Sequence, residues 1–575
     1  MKKVFSYLRF YWMQVIAIVV LVFTQTMLEL ELPDYMSDII NTGIVKQDID
    51  FIYTKGFQML AIALTVATIS VITSFLSARV GSGLSNKIRK DLYLKIENFS
   101  LIEFDKYSTA SLITRNTNDV QQVQMMITMM LRMVVSAPLY AIIGFQKANA
   151  LNSSMSWIFA VVIPLLVFMI ASIFTFVTPR FERVQKLTDK LNLTARENLT
   201  GIRVIRAFNA QDTQADKFNG VNIEVRDNNT ILQRIMSFMM PGIMLIMSFT
   251  TILIVWVGAE KINTGSLLIG DMMAFLQYAT QMLFSFVMMS MVFIMYPRAA
   301  VSGKRIAEVL NTKPQIIDPD QPVQAVRGIG EVKFENVCFR YPEADEDVLH
   351  DITFTARPGK TTAFIGSTGS GKSTLVNLIP RFYDVCDGSI KIDGVDIRAM
   401  KQSDLHDKIG YIPQKGVLFS GTIASNLTYG RPEASQEELE DAASIAQAKD
   451  FILEKEGGYD YLIAQGATNV SGGQKQRLSI ARALVKKPEI YIFDDSFSAL
   501  DFKTDSALRK AIHEKLSDAT VLIVGQRVST IMSADQIVVL ENGSIAGIGT
   551  HRDLLKNCPV YYEIAASQLT KEELA

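Results

Sequence analysis

The first 300 residues alternate between long apolar runs and polar, highly charged stretches. Each run is long enough for a helix of roughly 20 residues, which crosses a bilayer. The runs predict six spans at about residues 10–30, 56–78, 125–147, 155–179, 235–259 and 272–297. The third run is interrupted by Arg132. We interpret that arginine as a side chain that reaches the inner interface, in preference to a functional charge.

Positive charge is concentrated in two of the connections between the predicted spans. Two polar stretches, one before the third span and one after the fourth, carry Lys87, Arg89, Lys90, Lys95, Lys106, Arg115, and Arg180, Arg183, Lys186, Lys190, Arg196, Arg203, Arg206. The opposite connections are short and carry only Lys46, Lys55, Lys147 and Lys261. Because positive loops stay inside, both termini are expected in the cytoplasm of a multi-pass cytoplasmic-membrane protein with two long internal loops.

Beyond residue 300 the pattern changes to that of a soluble α/β domain. A chain of 575 residues is too long for one core, so a membrane domain at 1–310, a linker at 311–328 and a second domain at 329–575 are expected. The formal net charge of −1 gives no reason to expect a nucleic-acid partner. Cys338, Cys386 and Cys558 are far apart, which favours reduced thiols over a zinc site.

A phosphate-binding loop begins the chemistry of the second domain. The segment GSTGSGKST at residues 366–374 fits the pattern G-x-x-x-x-G-K-[ST] and lies between an apolar run and a helix-like run. In such a loop, backbone N–H groups converge on phosphate oxygens, Lys372 neutralises the outer phosphates and Ser373 can ligate Mg²⁺. The nucleotide-binding residues expected here are Gly366, Ser367, Thr368, Gly369, Ser370, Gly371, Lys372, Ser373 and Thr374.

Further motifs follow the loop in a fixed order. They are YIPQ ending at Gln414, VSGGQ at 470–474, EIYIFDD at 489–495 and SALD ending at Asp501, with FRYP containing Tyr341 upstream. This ordered set resembles the ATPase domain of ATP-binding-cassette (ABC) transporters. With six spans before it, the chain resembles an ABC exporter half-transporter: an all-α six-helix membrane domain followed by an α/β P-loop ATPase domain.

The resemblance implies the following roles. Tyr341 would stack on adenine, and Asp494 would hold Mg²⁺ with Ser373 and Gln414. Two ATPase domains would close face to face, so that each ATP lies between one phosphate loop and the partner's signature segment, here Ser471, Gly472, Gly473 and Gln474. Asp501 belongs to the same set of nucleotide-site residues. Short helices at the tips of the internal loops, around 104–109 and 209–214, would contact the ATPase domains.

Two positions depart from the family pattern. Asp495 stands where a catalytic Glu is expected, and Gln526 stands where a His is expected. Aspartate is one methylene shorter, and glutamine cannot carry the positive charge of an imidazole. The combination predicts a site that binds ATP but hydrolyses it poorly. The intact signature segment favours a heterodimer in which this chain completes the partner's competent site; a slow homodimer is the alternative.

Cargo residues are expected in the membrane half. Only Met400 and Met532 of the 26 methionines lie beyond residue 300, and the others include helically spaced sets that could line an adaptable cavity or simply pack and contact lipid. Glu29 and Glu31, at the outer end of the first span, would favour cationic amphipathic cargo unless they already lie in outside water. The candidate cargo residues are Glu29, Glu31, Met240, Met244, Met288 and Met291.

The sequence therefore predicts ATP-driven export of amphipathic compounds of the multidrug type, with ATP and Mg²⁺ as cofactors. The partners are a second half-transporter subunit, the lipid bilayer and a small cargo. A lipid flippase or peptide exporter is the alternative within transport. A membrane regulator gated by ATP binding is the alternative from another class, although an intact signature segment favours pumping.

Overall fold

The computed structural model describes residues 1–323, 328–342 and 344–570, with no side chains described for Lys2, Phe293 and Ile294. The predicted linker at 311–328 thus lies partly outside the described residues. The chain divides into two compact units. The first contains Met1–Glu97 and Thr109–Thr312, and the second contains Asn98–Ser108 together with the chain from Lys313 onward.

The first unit consists of helices. Within the described residues, six are long and apolar enough to cross a membrane, and we call them spans 1 to 6 in chain order: Lys3–Ile44, Ile49–Glu97, Thr109–Leu151, Ser153–Thr200, Gln211–Asn263 and Ile269–Asn311. Span 1 is interrupted around Leu30, before a helical segment Leu32–Asp38. Span 3 contains a π-helical turn at Met130–Val134. The predicted six-helix membrane domain is confirmed.

The spans are much longer than a bilayer requires. Span 2 contains 49 residues, and at about 1.5 Å per residue it is far longer than the roughly 30 Å of hydrocarbon. Its second half carries the basic residues Lys87, Arg89, Lys90 and Lys95. The excess length therefore belongs to the polar, basic stretches, as the sequence pattern predicts.

The second unit is an α/β domain built on two main sheets. Its strands are β1 (Val332–Phe339), β2 (Leu349–Ala356), β3 (Thr361–Gly366), β4 (Asp387–Ile392), β5 (Val395–Asp396), β6 (Ile409–Ile412), β7 (Gly421–Thr422), β8 (Leu462–Ile463), β9 (Ile490–Asp494), β10 (Thr520–Val524), β11 (Gln536–Glu541) and β12 (Ser544–Gly549). The described residues form an antiparallel sheet β2-β1-β4-β5 and a six-stranded sheet β12-β11-β3-β10-β9-β6. In the second sheet, only β12 pairs antiparallel.

Helices surround the six-stranded sheet. They are Lys372–Leu378, Gln402–Asp407, Ile423–Leu427, Gln436–Ile445, Lys449–Leu453, Gly472–Lys486, Phe502–Lys515, Val528–Ile531, His551–Asn557 and Pro559–Ala566. Successive side chains of a strand point to opposite faces. Accordingly, Phe493 of β9 packs in one core cluster, whereas Ile490 and Ile492 pack in another. Burial on both faces explains the nearly continuous apolar sequence of these parallel strands.

A short helix of the first internal loop belongs to the second unit. This loop helix, Leu101–Lys106, begins with a capping box in which Glu103 accepts a hydrogen bond from the backbone N–H of Ser100 at 2.8 Å. Glu103 also accepts one from the N–H of Gln315 at 3.1 Å, and Asp105 accepts one from the Tyr383 hydroxyl at 3.3 Å. The expected contact between the first internal loop and the α/β domain is therefore present.

Candidate functional site

The candidate nucleotide site lies at one edge of the six-stranded sheet. The phosphate loop follows β3, Gln414 follows β6, Asp495 follows β9 and Gln526 follows β10. These four strands are parallel neighbours in the order β3-β10-β9-β6. Ligands of α/β sheets bind outside the carboxyl ends of such strands. The topology therefore explains why segments far apart in sequence meet at one site.

The phosphate loop has the backbone that a close approach to an anion needs. Gly369 and Gly371 adopt positive φ angles of 85° and 93°. A Cβ atom at Gly371 would lie 2.6 Å from Cδ2 of Leu349, so a larger residue would need the Leu349 side chain to move as well as straining the backbone. Gly371 is also the N-cap of helix Lys372–Leu378. The loop and the helix start thus form a concave set of N–H groups that fits a polyphosphate.

Lys372 folds back over its own loop. Its Nζ donates hydrogen bonds to the carbonyl oxygens of Gly366 at 2.9 Å and Ser367 at 2.7 Å. Burial lowers the pKa of Lys372, while the nearby charges of Asp495 and Asp494 raise it. Ser370 and Thr374 are buried in the loop and the first helical turn, with Ser367 and Thr368 more exposed. The ammonium group is therefore held at the loop, where phosphate charge would accumulate.

Asp494 and Ser373 supply a pair of oxygen ligands. The Ser373 hydroxyl donates a hydrogen bond to Asp494 at 2.8 Å, and the Tyr411 hydroxyl lies 3.4 Å from the other carboxylate oxygen. Burial raises the pKa of Asp494, and the bond from Ser373 opposes that shift. The described part of the chain contains no group of three or more His, Cys, Asp or Glu side chains that could hold a metal. This sparse oxygen set suits Mg²⁺, which usually takes its remaining ligands from phosphates and water.

Asp495 is held by two side-chain amides. Its Oδ2 accepts hydrogen bonds from Nε2 of Gln526 at 2.7 Å and from Nε2 of Gln414 at 3.0 Å. We call this arrangement the amide clamp. The backbone of Asp495 adopts φ 48°, an uncommon conformation for a residue with a side chain, and Asp495 is only 7% exposed. The structure thus brings together the two unusual residues and Gln414.

Tyr341 packs among aromatic side chains at the start of the domain. Its ring meets Phe339 and Tyr383 edge-on at 4.9 and 5.3 Å, and its hydroxyl lies 3.0 Å from the Thr374 hydroxyl. Tyr383 in turn donates a hydrogen bond to Asp105 of the loop helix, and burial raises the pKa of Tyr383 to about 12. Tyr383 was not predicted from the sequence, because no motif contains it. Its only signal is an aromatic residue shortly after the phosphate-loop helix.

The signature segment forms a helix N-terminus. Ser471 is the N-cap of helix Gly472–Lys486, and its hydroxyl accepts a hydrogen bond from the N–H of Gln474. The Gln474 side chain accepts one from the N–H of Ser471 at 3.0 Å. These two bonds leave the N–H groups of Gly472 and Gly473 directed outward at the positive end of the helix. Such an end is suited to an anion.

Asp501 caps a different helix. It accepts hydrogen bonds from the N–H and hydroxyl of Thr504 at the start of helix Phe502–Lys515, and the backbone bond from Thr504 lowers the pKa of Asp501. Its observed contacts are thus those of a helix cap.

The first unit contains a cavity of about 340 Å³ between spans 1, 2, 3 and 6, lined by apolar side chains and a few polar ones. Glu29 lies on its wall and accepts hydrogen bonds from the Gln25 amide at 2.9 Å and from the Tyr140 hydroxyl. Met288 and Arg132 also line it. Of the other cargo candidates, Glu31, Met240, Met244 and Met291 lie off this wall, and Met240, Met244 and Met291 are exposed on the surface of the unit.

Comparison with known proteins assigns the family. A family profile described as "ABC transporter transmembrane region" matches residues 15–286, and one described as "ABC transporter" matches residues 349–498. The chain is 38% identical to an uncharacterized ABC transporter ATP-binding protein of Mycobacterium tuberculosis, over 98% of this chain and 97% of that protein. It is also 38% identical to the uncharacterized ABC transporter ATP-binding protein YfiB of Bacillus subtilis, over 100% and 99% of the two chains.

A solved structure gives the same result at the level of the fold. The structure of a bacterial Atm1-family ABC exporter with ATP bound is similar with a TM-score of 0.83 and 25% identity, covering 98% of this chain and 99% of that one. The matches extend over both the membrane helices and the phosphate-loop domain. The chain therefore belongs to the ABC transporter family, as a half-transporter whose six-helix membrane domain is fused to an ABC ATPase domain in the fold of Atm1-family exporters.

Proposed function

We propose that this chain is one subunit of a heterodimeric, ATP-driven exporter of amphipathic compounds, and that its own phosphate loop builds a weakly hydrolytic ATP site. The amide clamp on Asp495 carries the proposal. A water-activating base must present a free carboxylate oxygen toward the attacking water. Here Oδ2 of Asp495 already accepts two amide hydrogen bonds, and these bonds fix the direction in which the carboxylate points.

The short side chain of Asp495 is a second reason to expect slow ATP hydrolysis at this site. Its carboxylate lies one C–C bond, about 1.5 Å, short of where a glutamate carboxylate would reach. A displacement of about 1 Å can lower a rate on the order of 10²-fold. Gln526 donates a hydrogen bond without bringing positive charge, so the charge stabilisation that an imidazolium offers to a phosphate is absent at this position. Both effects lower turnover while leaving nucleotide binding possible.

Binding itself is supported by the remaining residues. An ABC ATPase domain implies ATP binding, and Mg²⁺ supplies charge neutralisation for phosphoryl transfer when it is bound. Ser373, Asp494 and Gln414 are the residues that we propose to hold the ion, and Lys372 and the glycine loop would hold the phosphates. The half-buried Tyr341 ring would pack against the adenine. The proposed domain limits remain 1–310, 311–328 and 329–575.

The signature segment would serve the partner's nucleotide. Its capping box keeps the N-terminus of helix Gly472–Lys486 ordered, with the N–H groups of two glycines available for an anion. An intact signature segment in the same chain as the amide clamp favours a subunit that completes a competent ATP site on its partner. A homodimer with two slow sites is the alternative, and recovery of this chain alone with full ATP turnover would favour it.

An exposed apolar surface supports the presence of a partner subunit. In the second internal loop, Phe208, Leu199 and Val204 are 79%, 76% and 61% exposed. These residues flank or form the short helix Ile202–Ala207 and lie within or next to the basic stretch at residues 180–206, so the positive-inside rule favours a cytoplasmic location, as it does for both termini. A patch of large apolar side chains in water usually marks an interaction surface. We propose that another subunit covers it.

Co-purification tests the assembly. The tagged full chain is purified from its native membrane in mild detergent, and its partner subunits are identified by mass spectrometry. A stoichiometric second half-transporter with Glu and His at the positions of Asp495 and Gln526 is the expected result. A regulator gated by ATP binding would instead bind nucleotide without cargo-dependent turnover in proteoliposomes. A lipid flippase or a peptide exporter would move only its own cargo class in the same vesicles.

A further inference from the structure

The cavity in the membrane unit is lined by one positive charge without an ion-pair partner, Arg132, and by one carboxylate that is already hydrogen-bonded, Glu29. Arg132 lines the cavity from the π-helical turn Met130–Val134 of span 3. Neither it nor Glu29 takes part in an ion pair within the described residues. Such π-helical turns are often found at functional sites. Ionisable residues within spans are rare and usually serve a ligand or an ion.

Glu29 has both carboxylate oxygens engaged by neutral groups of the protein, which the sequence alone does not show. One of its carboxylate oxygens accepts a hydrogen bond from Gln25 and the other accepts one from the Tyr140 hydroxyl. These two donors come from spans 1 and 3, and both donor residues also line the cavity. Polar groups of the protein therefore already solvate the negative charge.

Two further polar groups in the wall lack partners within the described residues. Thr73 of span 2 is 1% exposed, and its hydroxyl makes no hydrogen bond. The side-chain oxygen of Gln281 in span 6 likewise has no hydrogen-bond partner. By contrast, the hydroxyls of Thr26 and Ser285 are satisfied by carbonyl oxygens of their own helices. An unsatisfied buried polar group is costly, and a ligand or water at this site would remove the cost.

The rest of the wall is apolar and adaptable. Val22, Met133, Phe284 and Met288 line it. Methionine packs against ligands of different shapes. The volume falls in the range of about 300–1,000 Å³ that is typical of small-molecule sites. The wall thus combines one unpaired cation, a few hydrogen-bonding groups and an apolar surface.

We propose that this cavity binds an amphiphile with a single anionic head group, with Arg132 as the residue that recognises the head group and the Met133, Phe284 and Met288 side as the surface for its apolar part. The assignment rests on the proposed export function, because it names the class of cargo. An anionic lipid of the membrane and a soluble anionic amphiphile share this chemistry. A guanidinium group pairs well with sulfate, phosphate or carboxylate.

Binding in nanodiscs tests the proposal without requiring ATP turnover. The natively purified assembly is placed in phosphatidylcholine discs, and radiolabelled decyl sulfate is bound below its micellar concentration, with empty discs subtracted. Unlabelled decyl sulfate should displace the label at a concentration at least about tenfold lower than decyltrimethylammonium, since a charge-assisted contact is worth about that much. No saturable binding, or stronger competition by the cation, would overturn the proposal.

Three variants locate the head-group site. Arg132→Gln should remove the preference for sulfate, and Arg132→Lys should retain most of it. Arg180→Gln, which removes a positive charge at the cytoplasmic end of span 4, should behave like the unaltered protein. An unchanged preference in Arg132→Gln would show that Arg132 only anchors the helix at the interface. If Arg132→Gln does not assemble, the comparison of the two head groups on the unaltered protein still decides the proposal.

Changing the lipid of the disc distinguishes a membrane lipid from a soluble anionic cargo. Phosphatidylglycerol in the disc should compete with decyl sulfate in an Arg132-dependent manner if the occupant is a membrane lipid, and should not compete if the cargo is soluble. Failure of the export function would appear separately, as an assembly that binds decyl sulfate but shows no ATP turnover. Failure of the present inference would appear as an active ATPase without an anionic preference.

Discussion

The amide clamp leads to a quantitative prediction about the ATP site that we propose to be weakly hydrolytic. Replacing Asp495 by Glu moves the carboxylate outward by about 1.5 Å. Nε2 of Gln526 lies only 2.7 Å from the present carboxylate oxygen. The longer side chain must therefore displace the Gln526 amide or adopt another rotamer. We expect Asp495→Glu alone to raise ATP turnover at this site by less than about tenfold.

The double variant should behave differently. With Asp495→Glu and Gln526→His together, the amide that blocks the longer carboxylate is replaced by an imidazole that can approach the phosphate. Recovery of about 1 Å in positioning corresponds to a gain on the order of 10²-fold. Because the two side chains are in contact, their effects should be non-additive. A double-variant gain at least about tenfold larger than the product of the single-variant gains, or about 1.4 kcal/mol of coupling, is the expected result.

The assay needs a background in which only this site can turn over. Ser471→Arg would block the ATP site on the partner's phosphate loop, because we propose that this chain's signature segment completes that site. ATP turnover is then measured on the assembled transporter in nanodiscs for Asp495→Glu, Gln526→His and the double variant. Asp495→Asn, which keeps the size and removes the charge, is the matched control and should lower the residual rate. A full gain from Asp495→Glu alone, or none from the double variant, would show that the clamp does not limit hydrolysis.

Three further predictions concern the contacts around the site. Ser471→Arg should lower the ATP turnover of the whole assembly at least about tenfold more than Asp495→Asn, because it would disable the competent site that we propose for the partner. Equal losses would favour a symmetric homodimer. Tyr383→Phe removes the hydroxyl that donates to Asp105 at 3.3 Å, worth about 1 kcal/mol, and should reduce cargo-stimulated ATPase more than basal ATPase, while Tyr562→Phe on the exposed C-terminal helix should change neither. Phe208→Asp should reduce recovery of the partner subunit in co-purification without lowering expression of this chain. By comparison, Phe75→Asp at an exposed position on the membrane-spanning part of span 2 should reduce membrane insertion. Normal partner recovery with Phe208→Asp would exclude the surface around Phe208 as an interface.

The architecture could be predicted because its signals are local. A run of roughly 20 apolar residues has few alternatives to a membrane helix, and the six expected spans are all present. The phosphate-loop pattern likewise fixes a strand, a glycine turn and a helix in order, and β3, Gly371 and helix Lys372–Leu378 follow that order. Neither signal depends on which residues lie opposite across the fold.

The contacts within the candidate site and beside it depend on the fold. Each of the three residues in the amide clamp belongs to a separate motif with its own expected role: Gln414, Asp495 and Gln526. Their meeting on one carboxylate oxygen requires the strand order β10-β9-β6, which no local pattern specifies. The contact between Tyr383 and Asp105 joins residues 278 positions apart. The sequence could therefore show that Asp495 departs from the family pattern, but not that two amides hold its carboxylate.

The membrane cavity shows how the same limitation can reverse an inference about cargo. From the sequence, Glu29 is a carboxylate within a span and Arg132 is a charge near an interface, which favours a cationic cargo. In the structure, the carboxylate accepts hydrogen bonds from Gln25 and from Tyr140, which is 111 positions away, while Arg132 remains unpaired within the described residues. A charged side chain can hydrogen-bond to a ligand only through the donors or acceptors that its protein neighbours have not already engaged. Our proposal therefore assigns the selectivity of the cavity to the unpaired guanidinium group, and not to the number of acidic residues along the span.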